Sequence, residues 1–194
     1  MKRPAVFLDR DGTIVDDAGY ASRFDQMAIF PQSFEAVRRL NEAGLTVVVV
    51  TNQSGIGRGY LTEDELADIH SRLAGAFAAA GARLDAFYSC PHFAASRDPR
   101  YGRDCRCRKP LPGLGLQAAA DLSLDLARSY MVGDKADDIR FARAIGATPV
   151  LVLTGYGRGA HDLLEKGTDP LPAVAADILE AAGWILTREK SVRK

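Results

Sequence analysis

The feature that most constrains this chain is a short apolar run that stops abruptly on acids: Ala5-Val6-Phe7-Leu8, then Asp9-Arg10-Asp11-Gly12-Thr13. Read as a strand, the run delivers Asp9 and Asp11 to the carboxyl edge of a sheet, where open α/β folds gather ligands and catalytic groups. Two carboxylates this close repel each other unless a cation sits between them. The pair therefore calls for a hard divalent metal with oxygen ligands. For Asp-x-Asp alone the competing reading is a strand that ends in a solvated acidic turn. A second run, Thr46-Val47-Val48-Val49-Val50, is continuous and β-branched, as a central strand buried on both faces requires.

Apolar runs alternate with amphipathic segments and short turns along the rest of the chain, the pattern of a parallel sheet with helices on both faces. Strands are expected over 5–8, 45–50, 86–89, 129–132 and 149–153, and helices over 33–43, 62–80, 113–121 and 137–144. Thr62 and Glu65 read as a capping box, and Gly44 and Gly81 sit where helix ends need a left-handed residue. A short strand over 173–176 and a helix over 178–186 close the fold, followed by a charged, frayed tail over 188–194. This predicts a three-layer, Rossmann-like α/β sheet forming one domain over residues 1–194, with no repeat or linker.

Lys plus Arg and Asp plus Glu are equal at 25 each, which offers no basic groove for nucleic acid and no membrane-binding surface. No apolar run approaches the ~20 residues needed to span a bilayer. Met1-Lys2-Arg3-Pro4 leads straight into the first strand, leaving no room for a signal peptide. The expectation is a cytoplasmic protein, where disulfides are disfavoured. A monomer is expected, since no surplus apolar helix stands out.

Four segments fall on the same sheet edge: Asp9-Arg10-Asp11-Gly12-Thr13, Thr51-Asn52-Gln53-Ser54, Arg108-Lys109-Pro110 and Gly133-Asp134-Lys135. An acid pair, a hydroxyl, a lysine and a further acid are the parts that phosphoryl transfer needs. A carboxylate attacks phosphorus, a neighbouring acid protonates the leaving oxygen, and Mg²⁺ plus Lys neutralise equatorial charge. Asp137 and Asp138 follow Asp134. Asp138 reads as a first-turn acid favoured by the helix dipole, while Asp137 is open between that role and orienting water on the metal.

The three cysteines cluster with a histidine as Cys90-Pro91-His92 and Cys105-Arg106-Cys107. Three thiols and an imidazole suit a closed, tetrahedral, structural Zn²⁺ site. The intervening residues 93–104 include Arg97, Asp98, Arg100, Arg103 and Asp104 and few apolar groups. Such a loop cannot order itself by burial, so a metal staple over 90–107 has a physical purpose. Arg108 and Lys109 follow the last cysteine directly, so the staple would also fix two cations.

In these four ordered segments the chain resembles the haloacid dehalogenase superfamily. The resemblance implies Asp9 as the nucleophile that forms an aspartyl-phosphate, and Asp11 as general acid and then base. It further implies that Thr51 binds the transferring phosphoryl, and that Lys109 pairs with nucleophile and phosphate. Mg²⁺ would be held by Asp9, the Asp11 backbone carbonyl and Asp134. The mobile cap that many members carry is missing, since only residues 14–32 separate the first strand from the first helix.

Gly19-Tyr20, Ser54-Gly55-Ile56-Gly57-Arg58-Gly59, Cys90-Pro91-His92 and Cys105-Arg106-Cys107-Arg108-Lys109-Pro110 narrow the likeness. Together with the catalytic motifs they look like the D-glycero-D-manno-heptose 1,7-bisphosphate phosphatases, which remove the 7-phosphate on the way to lipopolysaccharide-core heptose. That resemblance implies substrate contacts at Asp17, Gly19, Tyr20, Asn52, Gln53, Ser54, Arg108 and Lys135. Arg58 is a further candidate for the distal phosphate, and the doubled Asp16-Asp17 leaves open which acid faces the sugar. Histidinol-phosphate phosphatases share the zinc-stapled, cap-poor design, but imidazole recognition calls for no added arginine at Arg58. A polynucleotide 3′-phosphatase would need a basic groove, and a catalytically silent zinc module would not retain Asp9, Asp11, Thr51, Lys109 and Asp134 together.

Overall fold

The computed structural model describes residues 2–192. Six parallel strands form one sheet: β1 (Ala5–Leu8), β2 (Thr46–Asn52), β3 (Ala86–Cys90), β4 (Tyr130–Gly133), β5 (Thr148–Val152) and β6 (Ala173–Ala175). Their order is β3-β2-β1-β4-β5-β6. Chain direction across the sheet reverses between β1 and β4, and that switch point opens a crevice outside the strand carboxyl ends.

The strands are buried on both faces, as the valine run requires. Val6, Leu8, Val47 and Val49 pack against α1 (Pro31–Glu42), α3 (Glu63–Ala79) and α7 (Ile178–Val192). Ala5, Phe7, Val48 and Val50 face the other way, onto α4 (Gly113–Leu122) and α5 (Ala136–Ile145). Alternation along each strand thus serves two cores, each buried large side chain contributing about 1.5–3 kcal/mol. The short α2 (Ser54–Gly57) follows β2, and α6 (Gly157–Glu165) covers Leu151 and Ile139 with Ala160 and Leu164.

Local chemistry explains the boundaries. Thr62 Oγ1 accepts the Glu65 N–H at 3.1 Å while Glu65 Oε2 accepts the Thr62 N–H at 2.7 Å, so the capping box forms as expected. Gly44 and Gly81 adopt φ of +81° and +73°. Helix α1 starts at Pro31, earlier than Ser33, because proline suits the first helical position. Ser33 instead donates to the Ile14 carbonyl at 3.0 Å.

Two sequence expectations need correction. Helix α6 was not expected, because its glycines at 157 and 159 weaken the helical signal. The tail over 188–194 is not frayed from its start: α7 continues to Val192. Glu189 is buried there and accepts the Tyr130 hydroxyl at 2.9 Å, tying the last turns to β4. Residues 193–194 of that tail lie outside the described residues.

Phe77 is fully buried between helix and sheet and packs on Phe34 at a centroid distance of 4.8 Å. Phe77→Ala should cost about 3–5 kcal/mol in urea unfolding. A change below about 1 kcal/mol would mean that this core does not hold the helix.

Candidate active site

Strand β1 ends at Leu8, so the next residue, Asp9, emerges at the crevice, only 4% exposed. Its Oδ1 lies 2.9 Å from Lys109 Nζ, which also lies 2.6 Å from Asp138 Oδ1 and donates to the Val50 carbonyl at 2.8 Å. All three ammonium protons thus have acceptors. Burial opposes the Lys109 charge, yet Asp138 and Asp9 outweigh it and hold the ammonium above its usual range.

Asp138 came out of the sequence as a helix-turn acid, and it does accept the Lys135 N–H at 3.0 Å through Oδ2. Its second oxygen makes it the counter-ion of Lys109, a role the sequence did not reveal because it depends on β4 and the 109 loop meeting. Asp137 lines the cleft and pairs with Arg140 at 3.3 Å.

Asp134 is fully buried beside Asp9, and its Oδ2 accepts the Tyr156 N–H at 2.8 Å. Its Oδ1 has no hydrogen-bond partner among the described residues. Burial first, then the Asp9 charge, pushes its carboxyl up to about 7. A buried oxygen without a donor beside a second carboxylate is a fitting donor set for a hard divalent cation. Asp9, Asp134 and Asp138 bring carboxylate oxygens within 4.8 Å of one another, but both Asp138 oxygens are already engaged. Gly12 and Gly155 make the approach possible: a Cβ at either would lie 2.2 or 2.3 Å from Asp134 Oδ2.

Asp11 sits across the cleft on a different set of partners. Arg10 Nε and Nη2 donate to its oxygens at 3.0–3.2 Å, and Gln53 Nε2 donates to Oδ2 at 3.0 Å. Burial nonetheless raises the Asp11 carboxyl above the usual range, with Arg10 opposing. Gln53 Nε2 also donates to Thr51 Oγ1 at 2.8 Å, so the second segment is bound to the first. Asn52 does something the sequence did not foresee. Its amide takes the Lys109 N–H and gives a proton to the Lys109 carbonyl, both at 3.0 Å, clamping the lysine's backbone.

The cleft, about 350 Å³, is lined by Asp9, Asp11, Thr51, Lys109 and Asp138, and by the expected contacts Asp17, Gly19, Tyr20, Asn52, Gln53, Ser54, Arg108 and Lys135. Asp17 rather than Asp16 faces it, 3.3 Å from Lys135 Nζ. Tyr156, absent from the sequence reading, lines it too, its ring 5.0 Å from Lys135 Nζ. Arg58 departs from expectation: its guanidinium lies 3.7 Å from the Phe93 ring, in a larger depression of about 1060 Å³ next door. That depression holds none of Asp9, Asp11 and Asp138, which line the smaller cleft, so the smaller cleft is the candidate chemical site.

Cys90, His92, Cys105 and Cys107 gather behind the Lys109 loop. Sulfur–sulfur separations of 3.2 and 3.7 Å exclude a disulfide, and His92 Nδ1 lies 3.2 Å from Cys107 Sγ. Burial first, then the neighbouring thiols, pushes Cys90 up, so a thiolate at Cys90 calls for a cation beside it. The set is compatible with zinc.

The fold and this cleft define a hydrolase of the haloacid dehalogenase-like class, and the family model described as HAD-hydrolase-like matches residues 106–181. D-glycero-beta-D-manno-heptose-1,7-bisphosphate 7-phosphatase of Yersinia pestis is 44% identical over 175 residues, covering 87% of this chain and 93% of that one. D-glycero-D-manno-heptose-1,7-bisphosphate 7-phosphatase of Thermosynechococcus vestitus is 42% identical over 192 residues, covering 96% and 97%. The solved structure of D,D-heptose 1,7-bisphosphate phosphatase from B. bronchiseptica, complexed with magnesium and phosphate, superposes with a TM-score of 0.82 at 36% identity, covering 95% of this chain and 99% of that one. The chain belongs to the D-glycero-D-manno-heptose-1,7-bisphosphate 7-phosphatase family.

The raised Asp134 carboxyl sets a pH dependence for the cation-free protein. A carboxyl raised to about 7 favours the fold while it stays protonated, and that contribution is lost as pH rises through 7. A bound divalent cation supplies the missing charge. Mg²⁺ should therefore raise the melting temperature more at pH 8 than at pH 6, and an equal or reversed shift would contradict this origin of the strain.

Proposed function

We propose that this chain is a phosphatase that removes the C7 phosphate of D-glycero-D-manno-heptose 1,7-bisphosphate, leaving heptose 1-phosphate for nucleotide activation. The observation that carries the reading is the buried Asp9–Lys109–Asp138 array under an open cleft, with Asp11 facing Asp9 across it. The relatives' names supply the substrate.

Asp9 is the nucleophile. One of its oxygens attacks phosphorus, the bond from phosphorus to the C7 oxygen breaks, and the Asp11 proton passes to that oxygen to give the sugar alcohol. Water then attacks the aspartyl-phosphate, a water proton goes to the Asp11 carboxylate, and phosphate leaves with Asp9 regenerated. Lys109 holds Asp9 in line and offsets charge on the equatorial oxygens. Thr51, bound to Gln53, presents its hydroxyl to the phosphoryl group.

Asp9, the Asp11 backbone carbonyl and Asp134 would hold Mg²⁺, a role supported by the orphaned Asp134 oxygen. Bound there, the metal would neutralise charge on the transferring phosphoryl. Cys90, His92, Cys105 and Cys107 would hold a structural Zn²⁺ that braces the loop entering Arg108 and Lys109. Arg108, exposed at the cleft rim, reads the distal phosphate, for which a guanidinium fork is suited. Asp17, Gly19, Tyr20 and Lys135 border the sugar, and Arg58, held on Phe93, braces the wall toward the neighbouring depression.

Asp9→Asn should fold normally and lose at least about 1000-fold in kcat on the heptose bisphosphate. Near-wild-type turnover would remove Asp9 as nucleophile. Across heptose bisphosphate, histidinol phosphate and fructose 1,6-bisphosphate, kcat/KM should be highest for the first, and Arg108→Ala should narrow that preference. A preference for histidinol phosphate would overturn the substrate.

Elemental analysis should find about one zinc per chain. Chelation should lower the melting temperature and activity together. A zinc-free preparation with full stability would remove the metal staple.

A further inference from the structure

Arg10, the residue between the two acids, is 1% exposed, a burial that arginine almost never reaches without a partner. Its Nε and Nη2 reach both oxygens of Asp11 at 3.0–3.2 Å, while Nη1 has no hydrogen-bond partner among the described residues. Asp11 is the single anion recorded on this guanidinium among the described residues. The nearby His70 adds no second charge. Burial, reinforced by Arg10, pushes its imidazole down to about 3, and its ring stacks on Phe87.

A planar guanidinium fixes the plane of the carboxylate it grips, as a flexible ammonium does not. Gln53 Nε2 completes the hold on Oδ2 from the opposite segment. Backbone geometry adds to it: Arg10 accepts the N–H groups of Ile14 and Val15 at 3.0 and 3.1 Å, so the fork rises from a closed turn. The cation is thus buried behind the reacting carboxylate, where it meets no substrate: it does not line the cleft that Asp9, Asp11 and Lys109 line.

We infer that Arg10 is a positioning residue for the reaction: its buried fork aims the Asp11 carboxyl at the leaving oxygen and then at the attacking water. This rests on the reading of Asp11 as general acid and base. Arg10 therefore matters where proton transfer limits the rate, and little where the leaving group departs as a stable anion.

The test compares heptose 1,7-bisphosphate, whose alkoxide needs a proton, with p-nitrophenyl phosphate, whose phenolate does not. Arg10→Met should lower kcat on the heptose bisphosphate about 100-fold with KM within about threefold, the size of one lost general-acid contribution. First-turnover release of p-nitrophenolate should fall less than about tenfold. Arg10→Lys, which keeps the charge without the fork, should show the same split, and it carries the comparison if the methionine variant does not fold. In an Asp11→Asn background, either Arg10 change should cost less than about threefold further, because the residue it aims is gone. Equal losses on both substrates, or losses that multiply in the double variant, would overturn the inference. Full turnover by Asp11→Asn alone would instead overturn the reading of Asp11, so the two failures are distinguishable.

Discussion

The structure of the site depends on one buried ammonium. Lys109 Nζ sits within 2.6–2.9 Å of Asp138, Asp9 and the Val50 carbonyl, with its side chain 3% exposed. Removing one member of such a pair leaves an uncompensated buried charge, which typically costs about 3–5 kcal/mol. Three buried carboxylates share the neighbourhood, Asp9, Asp134 and Asp138; Lys109 is the buried cation that pairs with two of them, while the buried Arg10 is committed to Asp11. Lys135, half-buried, helps from 3.9 Å but also serves Asp17. The balance is negative, a deficit that the proposed divalent cation would close.

Because that ammonium must be placed within a few tenths of an ångström, much of the surrounding chain serves to hold its backbone. Asn52, at the end of β2, grips Lys109 by both its N–H and its carbonyl. The cysteine cluster ends two residues before it, at Cys107. Gly113 continues the brace: its N–H donates to the Arg106 carbonyl at 2.9 Å, and a Cβ there would lie 2.3 Å from that oxygen. A loop rich in charge and poor in apolar groups is thereby tied at both ends.

Much of this was legible in the sequence for a specific reason. Strand ends, metal-ligand spacings and capping boxes are local patterns, so the β1 acids, the cysteine pairs and the Thr62 cap could be read from contiguous residues. The valine run predicted a buried central strand, and Val47 to Val50 are fully buried. What escaped notice depends on distant segments meeting. Asp138 reads as an ordinary first-turn acid until Lys109 arrives from the other side of β1. Asn52 reads as a substrate contact and does line the cleft, but that its amide also spans the Lys109 backbone shows only once the two segments meet. Tyr156 precedes an unforeseen helix, and Glu189 lies in a tail whose burial is decided by Tyr130.

The position of Arg58 bears on how a capless cleft reads a bisphosphate. Tyr20 and Tyr60 meet edge-on at 4.8 Å, and Arg58 lies 5.6 Å from the Tyr20 ring and 3.7 Å from that of Phe93. Stacked between two aromatics, the guanidinium stiffens a wall between the cleft and the larger depression instead of entering the cleft. Of the cations that do line the cleft, Lys109 is consumed by Asp9 and Asp138, and Lys135 is drawn to Asp17. Among the described residues the Arg108 guanidinium makes a single long contact, 3.5 Å to the His92 carbonyl, which leaves its remaining donors for solvent or ligand. In the proposed reaction it is thus the cation best able to take a second phosphate. It also lies between Cys107 of the cysteine cluster and the buried Lys109, so in the proposed reaction the loop that positions the chemistry also positions recognition.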